Sequence, residues 1–551
     1  MNELVPASQQ PPLPSDRLLV EGPPDPEAVP LDVLFVGGGP AGLAGAIELA
    51  RLAARDRETG GPLAELEIGV LEKSSELGEH CLSGAVVDPE PFRELFPATP
   101  ETDLPFRMRV PGDRVRLLSA RGSVRLPTPP TMRNHGHWVA SICEIVRWLG
   151  ERAEELGVNL FTGFPANSLL IGEGRVLGVR TTAAGLDRDG NPGGGFMPPT
   201  DLTARVTVLA EGTRGPLTSA WLAREGIGSA NPQIYALGVK ELWRVERPLD
   251  AVVHTLGWPL PRDAFGGSFM YPMGDDLLAL GLVVGLDAPY ADLDVHAWLQ
   301  ALKRHPTVTP LLAGGELVEW GAKTIPEGGY HAIPDRLHGD GIIITGDAAG
   351  LVDVATLKGI HYAMWSGILA ARTVHSALSA DDPSREVLSG YDAALRARLE
   401  AGPIHRNRNM RLAFKSGFFS GGVKAGIMSL TGGAFPGKRI PSSVDAAEPR
   451  PKRAALAPAY DGRLSFAKVD AVFRSGNATR DDIPSHLVVG ADVTPEMAGF
   501  YESLCPAGVY ERQGDRLVVN APNCIDCKAT DVLGPRWTPR EGGSGPQYKR
   551  M

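Results

Sequence analysis

Three cysteines near the end of the chain are the first residues whose type and spacing suggest chemistry. Cys505 opens Cys505-Pro506-Ala507-Gly508, and Cys524 and Cys527 form a C-x-x-C further on. Thiolates at that spacing can grip one metal cluster, and Cys-Pro is common in ferredoxin-like ligation. A zinc site would need a fourth Cys or His close by in the sequence, and none follows. Cys81 and Cys143 stand alone, and five cysteines in 551 residues cannot form a disulfide scaffold. At the other end, Gly37-Gly38-Gly39-Pro40-Ala41-Gly42 is a G-x-G-x-x-G. In a strand–turn–helix setting Gly37 permits the tight turn, Gly39 lets the backbone approach a pyrophosphate, and Gly42 lets the helix pack on the strand. The helix N-terminus adds free N–H groups and the positive end of its dipole.

The elements around that loop have the required order. Asp32–Val36 reads as an apolar strand and Leu43–Ala54 as a helix, with Pro40 suited to its first turn. Arg55–Pro62 reads as an inserted loop. Glu65–Leu71 then reads as a second strand, ending in Glu72, an acceptor for a ribose hydroxyl. Val206–Ala210 is a strand running into Glu211-Gly212, and Ile342–Thr345 runs into Gly346-Asp347 before a helix-like stretch. This order resembles the FAD-binding domain of the glutathione-reductase and hydroxylase superfamily. By that resemblance the aspartate of Gly-Asp holds the ribityl chain and the following helix points its N-terminus at the flavin. No second strand–GxGxxG–helix unit occurs, so electrons are expected by a route other than a nicotinamide domain.

Composition narrows the class. The formal charge is −10, with 55 Lys+Arg against 65 Asp+Glu, which argues against a nucleic-acid binder. A 22% charged and 43% apolar content is that of a globular protein and excludes global disorder. The first 30 residues are Pro-rich, lack a secretory or transit pattern, and read as a flexible arm. No run of 18 apolar residues is present, so no spanning helix is expected. Asp187–Pro199 is a turn-rich connection between strands. Residues 441–460 read as a linker before a C-terminal module over 461–551.

With these motifs in order, most of the chain resembles the electron-transfer flavoprotein–ubiquinone oxidoreductases. The resemblance runs from about Asp32 to Met551. It includes His80-Cys81-Leu82-Ser83-Gly84-Ala85, Gly238-Val239-Lys240-Glu241-Leu242-Trp243, Gly266-Gly267-Ser268-Phe269, Glu327-Gly328-Gly329, Lys358-Gly359-Ile360-His361 and the terminal Glu541–Tyr548. It implies an α/β protein, α+β overall. A Rossmann-like FAD domain would fill 31–440, interleaved with a quinone-binding domain at about 220–335 and a membrane-surface segment at about 405–435. A ferredoxin-like domain would follow. It implies FAD held by Gly37, Gly39, Ala41, Gly42, Glu72, Lys73, Leu82, Ser83, Gly84, Glu211, Gly212, Gly346, Asp347 and Gly359. The quinone would sit at Gly266 and Gly267, and an iron–sulfur cluster on Cys505, Cys524 and Cys527. Single electrons would come from reduced electron-transfer flavoprotein, and a pair would pass to ubiquinone or menaquinone. The chain would lie on one leaflet, facing the cytoplasm of a bacterium.

One departure stands out: the family's fourth cysteine position holds Thr530. An oxygen ligand such as Asp526 or Asp531, or a hydroxide, could complete a 4Fe–4S cluster; a 3Fe–4S cluster could form; or no cluster could survive. Arg396–Arg439 carries nine Lys/Arg and one acid, Glu400. There Arg406, Arg408, Arg411 and Lys415 adjoin Phe419, Val423, Ile427 and Leu430 at helical spacing, a pattern suited to an anionic bilayer surface. His135 and His137 are candidate proton carriers to reduced quinone. Two other readings remain open: a flavin reductase or hydroxylase of a lipid-like substrate with a structural C-terminal module, and an electron relay that does not reduce quinone.

Overall fold

Residues 29–72 form the first βαβ unit of a computed structural model that describes every residue except Met1, Asn2, Ala85 and Ala457. Strand β1 (Val29–Val36) buries its last four residues. The chain turns at Gly37, whose φ of +117° and closeness to the Ala210 carbonyl, 2.3 Å from where a Cβ would stand, admit only glycine. Helix α1 (Pro40–Thr59) starts with Pro40 in its first turn. The inserted loop expected at Arg55–Pro62 is corrected: Arg55 to Thr59 continue the helix, which stops at Gly60 in the left-handed conformation. Strand β2 (Ile68–Glu72) runs parallel to β1 on one side, and β3 (Asp201–Leu209) on the other.

A second sheet follows. Strands β4 (Tyr235–Arg244), β5 (Gly266–Gly274), β6 (Leu277–Gly285) and β7 (Glu316–Pro326) are antiparallel neighbours in the order β7-β4-β6-β5. Nearly continuous apolar sequence in β6, Leu-Leu-Ala-Leu-Gly-Leu-Val-Val-Gly, matches burial on both faces. The sheet extends beyond the segment of about 220–335. Asp113–Leu118 and Ser123–Leu126 complete this seven-stranded sheet, because Asp113–Leu118 pairs in parallel with Val252–Gly257. The chain then returns to the first sheet with β8 (Ile342–Ile344), beside β3. Helix α2 (Ile360–Ser379) packs on α1 where glycines face each other: a Cβ at Gly367 would stand 2.0 Å from the Ala41 carbonyl. Helix α3 (Phe418–Leu430) lies on the surface.

Three segments expected as loops are tied down. Within the first 30 residues, Leu19–Glu21 adds a strand beside Ala166–Gly172, Leu18 is buried, and the Gln10 amide donates to the carbonyls of Asp531 and Val532. The flexible-arm expectation is therefore corrected: prolines lower the cost of ordering the segment, and these contacts hold it. Residues 441–460 are a strap rather than a free linker. Arg450 is buried and its guanidinium donates to the carbonyls of Leu286 and Asp445. Asp187–Pro199 folds into its own exposed hairpin, Ala184–Leu186 against Pro192–Met197.

Candidate functional site

A cavity of about 1440 Å³ runs between the two sheets. Gly37, Gly39, Ala41, Glu72, Lys73, Leu82, Ser83, Gly84, Glu211, Gly212, Gly346, Asp347 and Gly359 border it at one end, and Gly266 and Gly267 border it further along. Ala85, the last residue of the motif beginning at His80, lies outside the described residues. Gly42 does not reach the cavity. Its absent side chain serves packing, since a Cβ there would stand 2.1 Å from the Gly37 carbonyl.

The nucleotide end is built to take an anion. The N-termini of α1 and α2, at Gly39 and Gly359, both open on the cavity, and no side chain caps either. Nothing lies within 4 Å of where a Gly39 Cβ would be, so a phosphate group can meet the backbone there. These two uncapped helix ends and the open space over Gly39 fit a dinucleotide such as FAD. The Glu72 carboxylate accepts from Gly38 N at 2.9 Å and from Ser74, which orients it beside the loop. Burial raises the Asp347 carboxyl to about 6. Glu211 borders the cavity, but its carboxylate accepts from Thr218 N and Thr218 Oγ1, both at 2.7 Å, and so caps the helix Pro216–Arg224.

At the far end Gly266 and Gly267 are strand residues of β5, paired with Val284 and Val283 of β6. The sheet itself requires glycine here: a Cβ would stand 2.2 Å from the Val283 carbonyl at Gly266, and 2.7 Å from the Thr255 carbonyl at Gly267. The cavity continues past them to Phe418, Phe419, Val423 and Leu430 of α3. On α3, Phe419 is 67% exposed, Val423 66% and Leu430 90%, an apolar row at helical spacing that faces outward. The basic residues do not all join it. Arg411 is buried, with Nε 2.7 Å from Glu327 and a second nitrogen 2.9 Å from Asp287. Arg408 donates to the carbonyls of His405 and Gly433. Lys415 is exposed and pairs with Glu448. His135 is exposed, and His137 lies 3.7 Å from Asp88; neither borders the large cavity.

The three C-terminal thiols converge in one buried place. Cys505 ends the helix Pro495–Leu504, Cys524 follows a short turn, and Cys527 lies between Asp526 and Lys528. Both of these neighbours adopt positive φ, 55° and 67°, a costly conformation for a lysine. Burial pushes the Cys524 thiol up to about 12 and raises Cys505 and Cys527, with Cys505 raising the other two as well. Metal binding supplies the stabilisation that makes such thiols thiolates. His486 is buried beside Cys524 and neither ring nitrogen has a partner among the described residues. The Tyr510 hydroxyl, also without a well-formed partner, lies beside Thr530 and the three thiols. Orphaned buried polar groups around converging thiols fit a sulfide-rich cluster, which would accept their hydrogen bonds.

Neither aspartate raised as an oxygen ligand is free. Asp526 Oδ2 lies 2.5 Å from Lys73 Nζ, and its Oδ1 accepts from Arg540 at 2.8 Å and from Trp537 Nε1 at 2.9 Å. Asp531 takes Arg214 on one oxygen and the Trp537 N–H on the other. The cluster loop also reaches the large cavity. Lys528 and Trp537 border it, Lys323 borders it from β7, and the adjacent Thr324 donates to the Cys527 carbonyl through N (2.9 Å) and Oγ1 (2.6 Å). Sequence reasoning missed Lys323, Thr324, Arg540 and His486, because residues so far apart in the chain carry no spacing that links them.

Comparison with known proteins agrees with these two sites. The family description "ETF-QO, ubiquinone-binding" matches residues 235–325. The description "Electron transfer flavoprotein-ubiquinone oxidoreductase, 4Fe-4S" matches residues 462–549. A mitochondrial electron transfer flavoprotein-ubiquinone oxidoreductase from Oryza sativa subsp. japonica is 38% identical over 555 residues, covering 95% of this chain and 94% of its own. One from Homo sapiens is 34% identical over 556 residues, covering 94% and 89%. Among solved structures, a geranylgeranyl bacteriochlorophyll reductase-like protein from Thermoplasma acidophilum shares the fold with a TM-score of 0.55 at 20% identity, over 76% of this chain and 95% of that one.

Proposed function

The chain belongs to the electron transfer flavoprotein–ubiquinone oxidoreductases, and from that we propose how its residues divide the work. The protein is an oxidoreductase that carries electrons from electron transfer flavoprotein to ubiquinone, with FAD and an iron–sulfur cluster as cofactors. When bound, these cofactors supply one-electron passage and its pairing into the two-electron reduction of a quinone. The C-terminal module is therefore a redox domain, and the lipid-hydroxylase reading falls away.

The observation that carries the site assignment is the single cavity from the Gly37–Ala41 loop, past Gly266 and Gly267, to the exposed face of α3. We assign its inner end to FAD: the N-termini of α1 and α2 face its anionic and carbonyl groups, Glu72 its ribose, and Asp347 its ribityl chain. The cavity beside Gly266 and Gly267 takes the quinone head-group, ubiquinone or menaquinone, against the backbone of β5. The apolar outer stretch takes the isoprenoid tail, and Phe419, Val423, Ile427 and Leu430 enter the lipid. The exposed Lys415, Lys438 and Arg439 then face anionic headgroups, which are most abundant on a cytoplasmic leaflet. Arg411 is excluded from that contact and holds β6 to the segment leading to α3 through Asp287 and Glu327.

Flotation with anionic liposomes tests the membrane contact. Replacing Phe419, Val423 and Leu430 together by Ser is expected to abolish co-flotation while FAD and iron content stay at wild-type levels. Undiminished flotation of that variant would reject α3 as the contact.

A further inference from the structure

The cluster domain matches a four-iron family description, yet only three of its residues are cysteines. Among the described residues neither the other two cysteines nor the two nearby aspartates supply the fourth. Cys143 is remote from the site, its thiol directed at the carbonyls of Cys81 and Met551. Cys81 borders the flavin cavity, where its neighbours are Cys143, Glu72, Lys323 and Lys73. Asp526 spends both oxygens on Lys73, Arg540 and Trp537, and Asp531 spends both on Arg214 and the Trp537 N–H. Freeing either would strand a buried cation.

His486 is the remaining candidate with a free donor atom. Its ring nitrogen, Cys524 Sγ and an Asp526 oxygen all lie within 4.8 Å of one another. That crowds His486 onto the corner Cys524 already serves, too near to reach a different iron of the same cube. Its charged neighbours are Arg540, Asp526, Lys73 and Lys528. A ring N–H there is within reach of the Cys524 sulfur as a hydrogen-bond donor rather than as a ligand to a separate iron. The Tyr510 hydroxyl lies beside Thr530 and near all three thiols, and both hydroxyls are neutral O–H groups rather than anionic ligands.

We propose that this chain holds a three-iron, four-sulfide cluster on Cys505, Cys524 and Cys527, with Thr530 closing the corner where a fourth iron would sit. The proposal rests on the iron–sulfur assignment of the C-terminal domain and goes one step further, to the number of irons. Such a cluster remains a one-electron carrier, and the protein sets its potential through the surrounding hydrogen bonds and charges.

The test uses the full-length holoprotein, purified anaerobically and offered excess ferrous iron and sulfide before desalting. The expected result is about three irons per FAD and a paramagnetic oxidised state, seen by EPR near the free-electron g value and integrating to about one spin per FAD. Thr530→Cys is expected to take up one further iron and lose the oxidised signal, whereas Thr530→Ala keeps both wild-type values. About four irons per FAD with a silent oxidised spectrum in the wild type would overturn the three-iron assignment alone. Absence of iron after reconstitution would overturn it together with the iron–sulfur reading. The wild-type measurement stands even if Thr530→Cys fails to fold.

Discussion

Single side chains here are placed by charge and burial more than by their own chemistry. Asp526 compensates Lys73 and Arg540 beside the thiols, and Arg411 compensates Asp287 and Glu327 below α3. Two buried histidines, His254 and His296, are placed in the opposite way, with no ion pair to a carboxylate among the described residues. Burial lowers His254 and His296 to about 4 from an ordinary 6.5, so both are neutral in the fold. The unfolded chain therefore binds more protons over this range. Their stabilisation is complete above pH 6.5 and is lost as pH falls toward 4. At about 1.4 kcal/mol per pKa unit, each contributes on the order of 3 kcal/mol to that decline. Urea unfolding at pH 7.5 and 4.5 should show a clear drop for the wild type and a smaller one for His296→Gln. Equal drops would mean that His296 is not held neutral. The grouping of the Cys505, Cys524 and Cys527 thiols was legible because their spacing is local; the saturation of Asp526 and Asp531 was not, since Lys73, Arg214 and Arg540 come from distant segments.

Elements meet the cavity through their ends. The first unit was readable as strand, glycine turn and helix because each step has a local steric signal; the run of α1 to Thr59 was missed, its charged last turn reading as loop, and the two strands begin three residues from their expected starts. The α1–α2 contact was not readable. It depends on Gly45 and Gly367, which the sequence shows as ordinary helical glycines. A methyl at Gly367 would meet the Ala41 carbonyl and the Gly45 nitrogen, at 2.0 and 2.9 Å, and must push α2 away. Gly367→Ala is thus expected to lower FAD occupancy several-fold, because Gly359 and Asp347 move with α2. The ratio of flavin absorbance to protein absorbance after gel filtration measures it. Full occupancy would show that the two helices separate without disturbing the site. On α3 the apolar row was legible from its period. The inward turn of Arg411 was not, since two carboxylates from the quinone-binding sheet draw it in.

At the scale of the molecule the three domains share their packing. One continuous hydrophobic core joins Leu237, Trp243 and Leu280 of the second sheet to Met497, Phe500 and Leu504 of the C-terminal module. The N-terminal residues pin the same module through Gln9 and Gln10, and Met551 is buried under Ser141. Residues 461–551 expressed alone should therefore lack a cooperative thermal transition and bind a hydrophobic dye; a sharp calorimetric transition would mean the module is independent. By itself the sequence determined the nucleotide loop, the three thiols, the apolar row of α3 and the family, because each is a local pattern of residue type and spacing. Only the tertiary structure decided that the flavin and quinone regions open into one cavity and that Lys323 and Thr324 stand between it and Cys527. It also decided that Asp526 and Asp531 are both taken up by cations and Trp537. Those outcomes depend on which distant segments neutralise and bury one another, and burial and charge pairing across hundreds of residues leave no periodic trace in the chain.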